Sequence, residues 1–160
     1  MGYFNKNIVL KLEEKIIALF MLVAIIVGFM QVSSRFIFKS SLPWSEELLR
    51  FIFQWVTFLA ASVAVREKAH VSVTFLIDKL PRNANKLITL LGILLSIGFC
   101  LAITYFGIQL VKVQIETEQI STAMQLPMWI PYSGVVVGSF MMAFRFFRSL
   151  LTVLGKRSLG

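Results

Sequence analysis

The chain has 160 residues, of which 58% are hydrophobic and 15% are charged, and its formal net charge is +8. A soluble domain of this length has too little interior to bury so many apolar side chains, so a mean hydropathy of +0.81 excludes an ordinary water-soluble fold. The one cysteine, Cys100, lies in an apolar run and excludes an intrachain disulfide, so we expect a buried or lipid-facing thiol.

Four stretches with almost no charge are long enough to cross the hydrocarbon core of a bilayer, which takes about 20 residues of helix. Backbone polar groups must be satisfied locally in lipid, and the stretches lack the alternation of barrel strands, so we predict helices. The chain is therefore predicted to be a single all-α membrane domain over residues 1–160 with four transmembrane helices. The predicted spans are residues 16–34, 48–65, 87–111 and 126–144.

The N-terminal segment, residues 3–15, mixes apolar side chains with lysines. This composition favours a short N-terminal interfacial helix, although a frayed tail would fit the first few residues as well. The span that follows could be read as a signal peptide. It is too long for the apolar part of such a peptide and no clean cleavage site follows it, so we expect an uncleaved signal anchor.

Basic residues outside the spans predict the orientation. The N-terminal segment, the second loop and the C-terminal tail together carry 12 Lys and Arg, whereas the first and third loops carry 3. The positive-inside rule therefore places both termini and the second loop in the cytoplasm. The positive charge would also attract anionic membrane lipids, and this reading leaves no need for a nucleic-acid partner.

The second span carries a polar stripe. Projected at 100° per residue, its polar and small residues fall within an arc of about 100°. They are Glu46, Glu47, Arg50, Gln54, Thr57, Ala61 and Ala64. Arg50 follows Glu46 by four residues and Glu47 by three, so an ion pair within the helix is available.

This stripe favours contact with another protein, because a charged side chain in lipid costs several kcal/mol. Arg50 could instead snorkel to the outer interface, since it lies only about two turns inside the span. Gln54 and Thr57 extend the stripe deeper than snorkelling reaches, so we predict a subunit interface at Glu46, Glu47, Arg50, Gln54 and Thr57.

Aromatic and small residues mark the remaining contacts. Trp44 and Trp129 suit the outer membrane interface, where indole rings concentrate. Gly134 and Gly138 form a small-xxx-small face in the fourth span, which favours packing within the chain over dimerisation.

The chain lacks the residues of most membrane enzymes. His70 is the only histidine, so paired haem ligation or a histidine-based metal site within one chain is excluded, and we expect no cofactor. A Gly-rich phosphate loop, a second cysteine and an acid in the middle of a span are also missing. From these residues alone, the prediction is an integral membrane protein that is not an enzyme.

Two motifs resemble a known family. Residues 41–50 read SLPWSEELLR, and residues 58–73 read FLAASVAVREKAHVSV. Together they resemble the small membrane subunit (Q subunit, DctQ-like) of tripartite ATP-independent periplasmic, or TRAP, transporters. The likeness runs from about residue 12 to residue 147, and residues 31–36 and 126–129 add to it.

The resemblance implies a non-catalytic subunit in a bacterial inner membrane, and the alternative is a self-contained small homo-oligomeric transporter or channel. The subunit would scaffold a large elevator-type membrane subunit, which uses a sodium gradient to move an acidic organic solute, such as sialic acid or a C4-dicarboxylate. A periplasmic binding protein would deliver the solute. By analogy, Glu46, Glu47 and Arg50 would lie near the large subunit, and Trp44 with Trp129 would meet the binding protein or the outer interface. Arg66 and His70 would anchor the cytoplasmic loop.

Overall fold

The computed structural model describes residues 2–40, 42–66 and 82–155, and these ranges hold four α-helices. They are α1 (Gly2–Ile37), α2 (Pro43–Arg66), α3 (Arg82–Glu116) and α4 (Trp129–Gly155). Each helix is long and apolar enough to cross a membrane, which confirms the prediction of an all-α membrane protein with four spans.

The helices extend past the predicted spans, because a helix does not stop where its sequence becomes polar. In α1 the predicted interfacial segment is continuous with the span, and neither proline nor glycine interrupts residues 3–27. The start of the fourth helix is the exception, because α4 begins at Trp129, three residues later than the predicted span. Pro127 belongs to the preceding loop, where it forms an isolated bridge with Ile120.

The helices pack in an order that differs from their order along the chain. α1 packs on α2, α2 packs on α4, and α4 packs on α3. α4 therefore lies between α2 and α3 and has the most buried span of the four. The outward faces of α1 and α3 expose large apolar side chains, including Phe29 and Leu95, as expected for helices in contact with lipid.

The small face of α4 contacts α2 within the chain. A Cβ added at Gly134 would lie 2.8 Å from the Trp55 ring, and one added at Gly138 would lie 2.7 Å from the Phe58 backbone carbonyl carbon. These distances are shorter than any relaxed carbon contact, so glycine is what allows the two helices to approach. The preference for packing within the chain is confirmed for both glycines.

A buried pair of hydroxyls joins α3 to α4. Thr104 Oγ1 and Ser139 Oγ lie 2.9 Å apart, and each is also within hydrogen-bond distance of a carbonyl of its own helix. One hydroxyl therefore donates across to the other, which donates to its own helix carbonyl. Nearby, Cys100 is buried in an apolar cluster with Ala143 and Phe146. The thiol is thus enclosed, which agrees with one of the two environments expected for it.

Candidate subunit interface

Two faces of α2 are covered by its neighbours. Leu48, Leu49, Ile52 and Val56 pack towards α1 around Ala24. Trp55 and Phe58 point to α4 at its two glycines. Since these two directions lie on one side of the helix, the opposite face is left uncovered by the residues that the structure describes.

The uncovered face of α2 carries four of the seven residues of the predicted polar stripe. Its exposed residues follow the three-and-four spacing of a single helix face, and they are Glu46, Arg50, Phe53, Thr57 and Ala64. We refer to these five residues as the α2 stripe. At about 1.5 Å per residue the stripe is about 27 Å long, close to the hydrocarbon thickness of a bilayer. Gln54, also predicted at the interface, is half-buried beside it.

The Glu46 carboxylate bonds to a neighbouring helix. Gln31 of α1 donates a hydrogen bond from Nε2 to Glu46 Oε1 over 3.1 Å. The ion pair with Arg50 that the spacing permits is not formed. Glu46 therefore fixes α1 against the start of α2, while its side chain remains exposed.

Arg50 has no hydrogen bond or ion pair among the residues that the structure describes. Its guanidinium borders an open cleft of about 550 Å³ at this end of the helices. The cleft is lined by Pro43, Trp44, Glu46, Glu47, Arg50, Thr122 and Ala123. A side chain that is always charged thus lies at the edge of the span beside two carboxylates, with no direct bond to either.

Glu47 faces a different way from Glu46, because one residue turns an α-helix by about 100°. Its carboxylate lies under the loop between α3 and α4 and accepts a hydrogen bond from Ser121 Oγ. It also accepts from Thr122 Oγ1 over 3.1 Å and from the backbone N–H groups of Ala123 and Met124 over 3.2 and 3.0 Å. This carboxylate is therefore committed to contacts within the chain.

The two tryptophans lie at the same end of the helices as Glu47. Trp44 is 37% exposed and lines the cleft, and Trp129 is 42% exposed at the first position of α4. Both indole rings thus lie at the ends of candidate spans, as interfacial residues do. Their contact with a binding protein stays a prediction.

An ion-pair cluster closes the opposite end, where α1, α2 and α4 meet. Glu13 lies beside Arg145 and 3.8 Å from Arg66, and Glu14 is a second partner of Arg66. Arg66 thus ties α2 to α1. His70, predicted to act with it, lies outside the described residues.

No group of three His, Cys, Asp or Glu side chains that could hold a metal ion occurs among the described residues. What this part of the chain presents is an exposed face of α2 with charged residues at one end.

Sequence reasoning did not separate the roles of Glu46 and Glu47, because both fall within the same arc of α2. It also missed the pairing of Glu13 with Arg145, which are 132 residues apart. The polar residues after α3, at 121 and 122, were the available signal for Glu47: two hydroxyl side chains follow each other where a carboxylate needs donors.

Comparison with known proteins shows that this chain is similar to components of membrane transporters. The family model of the DctQ component of tripartite ATP-independent periplasmic transporters matches residues 8–155. The sialic acid TRAP transporter small permease protein SiaQ of Vibrio cholerae is 31% identical over 139 residues, which are 85% of this chain and 78% of that protein.

Two further relatives are considerably longer than this chain. The C4-dicarboxylate TRAP transporter small permease protein DctQ of Rhodobacter capsulatus is 31% identical over 66% of this chain and 47% of its own length. The isethionate TRAP transporter permease protein DctMQ of Oleidesulfovibrio alaskensis is 31% identical over 67% of this chain, which spans only 17% of that longer protein. These relatives are transporter permease proteins, which confirms the prediction of a non-enzymatic transport protein.

Proposed function

This chain belongs to the DctQ family of tripartite ATP-independent periplasmic (TRAP) transporter components, and we propose that it is the small subunit that scaffolds a large elevator-type permease subunit. In this proposal the large subunit uses a sodium gradient to import an acidic organic solute, and the small subunit itself binds neither solute nor ion. A periplasmic binding protein delivers the solute to the pair.

The observation that carries the proposal is the α2 stripe. Exposing an arginine within a transmembrane helix to lipid costs about 2.5–3.5 kcal/mol at the membrane centre and less near the interface. Arg50 has no described partner inside the chain, although a carboxylate lies one helical turn away. A partner protein that covers the stripe would remove this cost. We therefore place Arg50, Phe53 and Thr57, with Gln54 beside them, against the large subunit.

The lengths of the relatives support a permanent association. Segments similar to this chain form 17% of the isethionate permease DctMQ and 13% of the sialic acid permease SiaT of Haemophilus influenzae. In those proteins the segment is covalently part of a longer permease. We infer that this chain performs the same role as a separate subunit, held by contacts where those proteins have a covalent connection.

The solute class is proposed from the relatives' names. Sialic acid, C4-dicarboxylates and isethionate all carry an acidic group that is ionised at neutral pH. An anionic organic solute is therefore the expected substrate of the complex. We assign recognition of that solute to the other components, because the cleft of this chain is lined by two carboxylates and one guanidinium and its net negative charge disfavours an anion.

The orientation is proposed from the basic residues. The segments expected in the cytoplasm carry 12 Lys and Arg against 3 on the other side, which supports an inner-membrane protein with both termini in the cytoplasm. The α2 stripe then has its charged end at the periplasmic side. A C-terminal reporter enzyme that is active only in the periplasm should be inactive, and an active reporter would reverse the topology.

Purification and reconstitution test the function. The tagged chain is expressed with the large membrane subunit of the same bacterium, extracted in mild detergent and reconstituted with the binding protein in liposomes under an inward sodium gradient. We expect co-elution of the two membrane proteins and uptake of radiolabelled sialic acid, succinate or isethionate only when all three components are present. Uptake by this chain alone would support a self-contained transporter and overturn the proposal.

A further inference from the structure

Within the loop between α3 and α4, residues 119–128 form a closed segment. An antiparallel bridge joins Ile120 to Pro127, and the backbone N–H of Met128 donates to the carbonyl of Gln119 over 2.9 Å. Inside this bridge the N–H of Ser121 donates to the Leu126 carbonyl over 2.8 Å. The two ends of the loop are thus held together by the loop's own backbone.

The tip of the loop depends on Glu47. Ala123 and Met124 direct their N–H groups at its carboxylate, and the hydroxyls of Ser121 and Thr122 do the same. Two oxygens with a full negative charge can accept four such bonds, and bonds to an ionised acceptor are about twice as strong as neutral ones. No neutral side chain of this size offers the same set of acceptors.

The surface presented by this loop has the composition of a protein contact. Residues 119–128 contain no charged side chain, although they lie between the candidate spans Leu87–Glu116 and Trp129–Val153. Ile120 is 55% exposed, and Thr122 and Gln125 are exposed beside it. Depletion of charge distinguishes the core of a protein interface from the rest of a surface. Glu116 is the last residue of α3, and Glu118 lies between that helix and this uncharged segment.

We propose that Glu47 is a positioning residue that holds residues 119–128 as a preformed docking surface for the periplasmic binding protein. This inference rests on the proposed function, which supplies the binding protein and the periplasmic side. A loop already fixed in its bound conformation loses less conformational freedom on association. The binding protein is the occupant because the loop lies beyond the spans, where a water-soluble partner can reach it and a neighbouring helix in the bilayer cannot.

The test uses the complete reconstituted system with Glu47→Gln and Glu47→Ala, and uptake is measured against the concentration of binding protein. We expect the half-saturating concentration to rise about three- to tenfold, because an unfixed loop must be ordered on binding. The maximal rate and the yield of co-purified large subunit should stay at the wild-type level. Glu116→Gln removes an equal charge next to the loop without touching its hydrogen bonds, and should leave the half-saturating concentration unchanged.

A second variant separates positioning from direct contact. Ser121 is only 3% exposed, so the binding protein cannot reach its hydroxyl, yet that hydroxyl bonds to Glu47. Ser121→Ala should therefore raise the half-saturating concentration in the same direction. Hydrogen exchange supplies a readout independent of transport: the Ala123 and Met124 amides should be protected in the wild type and exchange faster in Glu47→Ala.

Each other outcome decides against the inference. Unchanged exchange in Glu47→Ala would mean that the carboxylate does not hold the loop. Faster exchange with an unchanged half-saturating concentration would mean that the loop is not the docking surface. Loss of the large subunit from purified Glu47→Gln would move Glu47 to the subunit contact. Failure of the wild-type chain to co-purify with the large subunit would instead overturn the proposed function, and this inference with it.

Discussion

Glu46 and Arg50 lie one helical turn apart on the uncovered face of α2, yet their side chains do not pair. Glu46 accepts its hydrogen bond from Gln31 of α1, and Arg50 is left without a partner among the described residues. A surface pair of this spacing would contribute about 0.3–0.5 kcal/mol. This small stabilisation is absent from the structure, and the Arg50 guanidinium is available to bind another chain.

Replacement of Arg50 should weaken assembly. We expect Arg50→Ala to lower the recovery of the large subunit at least about tenfold, since loss of a buried interfacial charge partner costs about 2–5 kcal/mol. Uptake should fall with it, while solute affinity of the isolated binding protein stays the same. Quantitative co-purification measures the effect. Arg35→Ala removes an exposed positive charge from α1 and is the control; equal recovery from both variants would contradict the interface.

Alanine substitutions at Gly138 and Gly98 form a matched test of the packing between α2 and α4. A Cβ at Gly138 would lie 2.8 Å from the Phe58 carbonyl oxygen, whereas one at Gly98 would meet nothing within 4 Å. Gly138→Ala should therefore destabilise the protein by about 1–3 kcal/mol through overpacking, and Gly98→Ala should be neutral or slightly stabilising. Thermal unfolding in detergent compares them. A larger loss for Gly98→Ala would be incompatible with the α2–α4 contact.

Glu13 should contribute more to stability than its neighbour Glu14. Glu13 has a side chain 15% exposed and lies against both Arg145 and Arg66, whereas Glu14 is 55% exposed and pairs with Arg66 alone among the residues that the structure describes. Glu13→Ala leaves the largely buried Arg145 guanidinium without its carboxylate acceptor and should cost about 1–3 kcal/mol. Glu14→Ala, as an exposed pair, should cost about 1 kcal/mol or less. Thermal unfolding in detergent measures the loss of stability in both variants. A larger loss for Glu14→Ala than for Glu13→Ala would contradict the ion pairing described for these residues.

The hydroxyl contact between Thr104 and Ser139 can be measured by a double-mutant cycle with Thr104→Val and Ser139→Ala. Pairs of this kind in membrane helices have coupling energies of about 0.6 kcal/mol on average and up to about 1.7 kcal/mol. We expect a favourable coupling in that range, because the two Oγ atoms are buried and 2.9 Å apart. Strictly additive effects of the two substitutions would show that no bond links α3 to α4 there.

Sequence reasoning predicted the parts of this fold that depend on one helix at a time. Four apolar runs of sufficient length determine four spans, whatever their partners. The helix order, with α4 between α2 and α3, depends on tertiary contacts such as Gly138 on Phe58 and could not be predicted from periodicity. The different roles of Glu46 and Glu47 have the same origin, because only the position of the α3–α4 loop decides which carboxylate finds donors.

Photo-crosslinking tests the α2 stripe most directly. A photoreactive phenylalanine analogue replaces Phe53, which is 49% exposed in the middle of the stripe, or Leu95, which is 73% exposed on α3. The chain is then irradiated in membranes that contain the large subunit and the binding protein. The account predicts an adduct with the large subunit from position 53 and much less from position 95. Crosslinking from position 95 with none from position 53 would place the large subunit on another face and contradict the account.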